Sequence, residues 1–211
     1  SEGAHWKRQR RLAAPSFTTH QIAHYGEQMV RRTADAIASW EHGEVRDIHR
    51  DMMGITLNIV SDTLFGDAAS PLIAQTVGDA LDSLTTEFDN DVHTWRVLLP
   101  EWVPTQSRRR IEDATRTLDK VLAEMIEAGR ERKEPGHDLL ARLLAARDED
   151  DGTGMTDKQL RDELMTMFVA GHETTGLALF FTLNLLGNHP QKAAAIRAEL
   201  DSVLGNRLPN I

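Results

Sequence analysis

The sequence predicts an all-α fold. Three observations carry that prediction. Apolar residues return every three or four positions through most of the chain, as one face of a helix requires. Helix-start residues (Asp47, Ser70-Pro71, Asp138 and Thr156) stand directly in front of several of those stretches. No stretch carries the period-two alternation of a half-buried strand, and no repeat is visible. A chain of 211 residues can hold one substantial core.

Residues 3 to 14 read as a short helix made basic by Lys7, Arg8, Arg10 and Arg11, and Pro15 ends it. A helix follows over 20–40, with Ile22, Tyr25, Met29, Val30, Ala34, Ile37 and Trp40 on its apolar face and Gly43 as its stop. Asp47 caps the next, strongly apolar segment, which holds Met52, Met53, Ile55 and Phe65 and ends at Gly66. Its methionines read as core. Ser70-Pro71 gives an N-cap and a first helical residue for a helix through Val77, Leu81 and Leu84 towards Phe88. The stretch 92–104 carries Trp95, Pro100, Trp102 and Pro104 and does not suit a helix interior.

Residues 105 to 133 form a long charged helix with Ile111, Leu118, Leu122 and Met125 inward and Arg108, Arg109 and Arg110 solvated near its start. Pro135-Gly136 ends it. Asp138 opens a short helix with Leu139, Leu140, Leu143 and Leu144. The acidic run 148–152 lacks the alternating oxygen spacing of a calcium loop and reads as an exposed turn. Thr156-Asp157-Lys158-Gln159 is a capping-box pattern. It launches a central helix to about Asn188, a span of about 50 Å at ~1.5 Å per residue. His189-Pro190 breaks the chain, and residues 191–204 form a last amphipathic helix closed by Gly205.

Composition excludes several classes. A net charge of -9 argues against a general nucleic-acid binder. With Cys 0 there is no disulfide framework and no thiolate ligand. No apolar run is uncharged enough to read as a transmembrane segment, since 164–186 holds His172 and Glu173. No signal-peptide pattern stands at Ser1, so the expected location is cytoplasmic, and the chain is expected to lie within a larger protein.

The informative stretch is Ala170-Gly171-His172-Glu173-Thr174-Thr175, in the middle of the central helix. Small residues, an acid and two threonines are poor helix formers or costly to bury. Ala170 lies one turn before Thr174, and Gly171 one turn before Thr175. That spacing leaves room for a flat ligand. It also lets the Thr174 hydroxyl bond the Ala170 carbonyl or swing to another partner. Glu173 sits about 100° round the helix, where an acid beside a movable hydroxyl can relay protons. The plainer reading of the same residues is a back-bonded threonine and an acid that meets an arginine. His172 has no second histidine at metal-pair spacing and reads as structural.

A second motif changes the balance. The segment 170–175 resembles the oxygen-activation motif of the cytochrome P-450 superfamily. Gly3-Ala4-His5-Trp6-Lys7-Arg8-Gln9-Arg10, followed by Pro15-Ser16-Phe17, resembles that family's G-x-x-W-x-x-x-R helix and Pro-x-Phe turn. The resemblance covers the whole chain and looks closest to the bacterial fatty-acid hydroxylase branch. It implies the helical part of the cytochrome P-450 fold, one partial domain over residues 1–211, without the C-terminal heme-ligand region. It implies a monooxygenase that uses heme b and dioxygen on a hydrophobic substrate. Electrons would come ultimately from NAD(P)H, through a separate or fused reductase or ferredoxin that docks at the basic helix. Carried over by position, Glu173 and Thr174 would be catalytic. Trp6, Arg10, Phe17, Ala170, Gly171 and Thr175 would contact the cofactor. The axial cysteine is not in this chain, so the piece alone is expected to be inactive. Two other readings stay open: a non-catalytic helical module that binds an apolar ligand or a partner, and a remnant that no longer carries heme.

Overall fold

In the computed structural model, residues 3–66, 69–92, 103, 105–133 and 136–210 are described. Among them the chain is helical throughout, in the order α1 (Gly3–Ala13), a 3-10 turn (Ala14–Phe17), α2 (Thr19–Ile37), α3 (Ile48–Phe65), α4 (Pro71–Val92), α5 (Gln106–Glu131), α6 (Leu139–Ala145), α7 (Asp157–Asn188) and α8 (Pro190–Val203). The all-α expectation holds. Of the irregular stretch expected over 92–104, Val92 ends α4, and residues 93–102 and 104 lie outside the described residues.

The start signals act as capping chemistry dictates. Asp47 accepts the Arg50 N–H at 3.1 Å, Thr105 accepts that of Arg108 at 3.2 Å, and Asp138 accepts that of Ala141 at 2.9 Å. The Ser70 hydroxyl accepts the Ile73 N–H at 3.2 Å. At the head of α7 the Gln159 N–H donates to the Thr156 hydroxyl (3.3 Å), and the Thr156 N–H donates to the Gln159 side chain (2.9 Å). Pro15 does not release the chain from helical geometry. It sits in the 3-10 turn that follows α1 directly, where its fixed φ is compatible with the first turn. Gly66 ends α3 at φ 58°, and a Cβ there would lie 2.9 Å from an Asp138 carboxylate oxygen, so only glycine fits.

The core lies where α3, α4, α5, α6 and the first half of α7 converge. Phe65, Leu118, Leu140, Leu143, Leu160 and Leu164 are fully enclosed there. Phe65 stacks on Phe168 at 6.3 Å. Full burial of each such side chain contributes about 1.5–3 kcal/mol. Ion pairs tie the layers: Arg32 of α2 to the buried Asp62 of α3, and Arg161 of α7 to Asp119 of α5 at 2.6 Å.

Several expectations need correction. Ile22, Met29 and Ile37 of α2 are exposed, and Tyr25 is the buried member of that face. The helix rests on α3 through a narrow stripe, so part of its apolar face has no neighbour among the described residues. Arg110 is not free: it pairs with the buried Glu87 at 2.6 Å, and Arg108 donates to the Val103 carbonyl at 2.7 Å. The last helix α8 buries no residue. By length and composition α7 is apolar enough to cross a membrane, contrary to the reading of its sequence. Its first half is nevertheless a core helix, as its packing shows.

Candidate active site

The central helix α7 sorts its residues by face. Leu160, Leu164, Phe168, His172 and Gly176 recur every fourth position and form its buried stripe. The stripe runs against α3. A Cβ on Gly176 would lie 2.6 Å from the Met53 sulfur and 3.1 Å from the Thr56 hydroxyl, and one on Gly171 would lie 3.1 Å from a Val60 methyl. Thr56 is itself buried and donates to the Met52 and Met53 carbonyls at 3.0 and 3.1 Å. Gly171 therefore has a packing duty: its missing side chain lets α3 and α7 approach.

The opposite face is open. Ala170, Thr174 and Thr175 are exposed, and Glu173 is half-buried between the two faces. The Thr174 hydroxyl donates to the Ala170 carbonyl at 2.5 Å, as the four-residue spacing predicts. Thr166 and Thr182 do the same to the Asp162 and Ala178 carbonyls, each at 2.7 Å. Back-bonding is thus general in this helix. What distinguishes Thr174 from these is the half-buried acid beside it, Glu173.

Glu173 borders a cavity of about 400 Å³ between α3, α4 and α7. Leu81 and His172 are enclosed in its walls, while His49, Asp82 and Thr86 are exposed. A cavity of this size with several polar walls has room and partners for water. Burial pushes the His172 imidazole below its ordinary pKa, opposed by the nearby Asp82 and Glu173 carboxylates and by hydrogen bonding to the Met53 backbone. The ring is therefore neutral at pH 7. The sequence offered no sign of Asp82 or His49 as wall residues, because they come from helices distant in the chain.

On α1 the guanidinium of Arg10 stands 5.2 Å from the centre of the Trp6 ring, so the two side chains share a face, as their four-residue spacing predicts. Both are exposed, and Arg10 has no acidic partner among the described residues. Phe17 is half-exposed in the 3-10 turn. Arg8 and Arg11 of the same helix are engaged. The Arg11 Nη2 donates to both Asp148 oxygens at 3.1 Å and to Asp150 at 2.7 Å. Arg8 meets Asp148 at 3.4 Å and donates to the Thr153 hydroxyl at 2.7 Å. The run 148–152 is thus not a simple exposed turn. The Asp148 side chain is 2% exposed, and the cations that bury it come from a helix some 140 residues earlier, which no local pattern could reveal.

The site therefore has two parts: a helix with a small-residue, hydroxyl-bearing open face beside a half-buried acid, and an exposed indole–guanidinium pair on a basic helix. Both parts sit in an all-α frame crossed by one long helix. The chain matches the Cytochrome P450 family model over residues 1–211, and it belongs to that family. It is 34% identical to Cyclooctat-9-en-7-ol 5-monooxygenase of Streptomyces melanosporofaciens over 99% of this chain and 45% of that protein. It is 30% identical to Pentalenene oxygenase of Streptomyces avermitilis over 97% of this chain and 45% of that protein. The crystal structure of the cytochrome P450DA heme domain superposes with a TM-score of 0.80 at 27% identity, covering 100% of this chain and 46% of that one. The chain thus spans about 45% of the length of these relatives.

Proposed function

We propose that the chain is the helical, oxygen-facing part of a heme-dependent monooxygenase acting on a hydrophobic substrate. The observation that carries this reading is the open Ala170–Thr174 face of α7 with the half-buried Glu173 beside it, at the wall of a cavity sized for water.

The residues present suit heme on two sides. Ala170 leaves space on the open face of α7, with Thr175 on the adjoining flank, while Gly171 faces Val60 of α3 and lets the two helices approach. Trp6 and Arg10 offer an indole N–H and guanidinium donors for carboxylates, and Phe17 offers an apolar edge. No residue here supplies a thiolate, since the sequence has Cys 0. That ligand would come from elsewhere in the whole protein, and the piece alone is inactive on this reading. When bound, heme b supplies activation of dioxygen for insertion into a C–H bond.

The chain's own work is placement and proton transfer. The Thr174 hydroxyl leaves the Ala170 carbonyl to hydrogen-bond the oxygen substrate, at little expense because a back-bond in a helix is easily exchanged. Glu173 takes protons from water in the neighbouring cavity and passes them towards Thr174. His172, neutral and buried, anchors this turn of α7 against α3. Electrons would come from NAD(P)H through a reductase or ferredoxin. With Arg8 and Arg11 held by Asp148 and Arg10 paired with Trp6, Lys7 is the cation of α1 left to meet an acidic partner. The substrate class is read from relatives named for a cyclooctatenol and pentalenene, which widens the fatty-acid expectation to apolar carbon skeletons in general. A cytoplasmic enzyme fits this reading.

The test is Glu173→Gln in the full-length, heme-loaded protein with its reductase. The expected result is turnover lowered by about 100-fold, the lower end of what a positioned acid contributes, with substrate binding unchanged. Unchanged turnover would overturn the relay.

A further inference from the structure

The buried carboxylate of Asp148 lies in the loop that leads to α7, yet its partners lie on α1. Its two oxygens take the Arg11 Nη2 at 3.1 Å each, and the Asp150 N–H donates to it at 2.9 Å. Arg8 closes the other side, 3.4 Å from Asp148 and bonded to the Thr153 and Gly154 carbonyls at 3.3 and 3.2 Å. Arg8 and Arg11 are three apart and share a face of α1. Trp6 and Arg10 share a different face, and Gln9, Leu12 and Ala13 are buried on a third. A helix of 11 residues with so small a buried stripe has little else to fix its rotation about its own axis.

We infer that Asp148 is a positioning residue: by gripping Arg8 and Arg11 it sets the rotation of α1, and so holds the Trp6–Arg10 pair outward as a carboxylate clamp for the heme propionates. The inference rests on the proposed reading that this pair meets propionates. Hydrogen bonding within the loop and the facing Arg11 hold the Asp148 carboxyl below its ordinary range, so the grip is charged throughout the neutral range. The same loop ends at Thr156, the cap of α7, so one carboxylate ties the clamp helix to the head of the oxygen-facing helix.

The experiment uses the full-length, heme-loaded protein and measures the rate of heme transfer to excess apomyoglobin. Asp148→Asn and Arg11→Gln are each expected to speed heme loss roughly tenfold, within the range for coupled neighbours, and Asp148→Glu to restore part of it. Arg11→Gln leaves no buried acid-site amide behind, so it decides the matter if Asp148→Asn does not fold. In an Arg10→Gln background the effect of Arg11→Gln should vanish. Full additivity there would mean that Arg11 supports stability generally and would overturn the inference. Trp6→Phe and Arg10→Gln test the underlying reading: if neither speeds heme loss, the clamp itself is wrong. If both do, while Asp148→Asn and Arg11→Gln do not, the clamp stands and the positioning role falls.

Discussion

The two halves of α7 have opposite fates: the first carries most of the helix's charged residues yet buries its apolar stripe, and the second is the more apolar yet stays largely exposed. In the first half Leu160, Leu164, Phe168 and His172 are enclosed, and the buried stripe ends at Gly176, just inside the second half. In the second half Phe181 and Leu185 are each 58% exposed, and α8 beyond it presents Ile196, Leu200 and Val203 to solvent. The difference is not hydrophobicity but company. A helix buries the face that a neighbour covers, and the apolar residues beyond α3 have no neighbour among the described residues. The site sits at the boundary between the two regimes, where the stripe ends at Gly176 and the opposite face is already open.

That contrast can be broken or sharpened by substitution. The largest effect is expected for Leu164→Ala, which empties a fully enclosed position and should lower unfolding free energy by about 2–5 kcal/mol in urea titrations. Leu185→Ala should change it by less than about 0.5 kcal/mol. Glycines repeat the test. Gly176→Ala drives a methyl onto Met53 and should cost about 1–3 kcal/mol. Gly187→Ala meets nothing within 4 Å and should be neutral or stabilise by up to ~1 kcal/mol. Equal effects at the two glycines would erase the boundary. Thr156→Ala removes one side of the capping box and should cost about 1 kcal/mol.

A subtler effect is pH dependence. His172 has a folded pKa below its unfolded value near ~6.5, so the unfolded chain binds the extra proton. Its contribution is complete above that value and is lost as pH falls from there through the folded pKa. Unfolding midpoints should drop on acidification across that window, and His172→Gln should flatten that part of the curve. An unchanged slope would remove His172 from the account.

The sequence made the helices legible because caps and periodicity are local. Thr156, Asp47 and Asp138 act where their side chains stand. The motif 170–175 was equally legible, and so was the back-bond of Thr174, since both depend on spacing within one turn. What escaped was long-range. Asp148 reads as one more acid in a polar turn until Arg8 and Arg11 are folded onto it. Gly171 reads as ligand space, whereas Val60 of α3 occupies the room it leaves. Ile22 and Met29 read as core because periodicity reports which face is apolar, not whether anything covers it.

The measurement that bears most directly on the account compares two threonines that make the same bond in the same helix. Thr174→Ala and Thr182→Ala would be made in the full-length protein, and product formed per dioxygen consumed would be measured for each. The account predicts that Thr174→Ala wastes most of its oxygen as hydrogen peroxide while Thr182→Ala keeps the native yield. Equal yields would mean that Thr174 is a back-bonded helix residue like its neighbours, and the site on α7 would have to be given up.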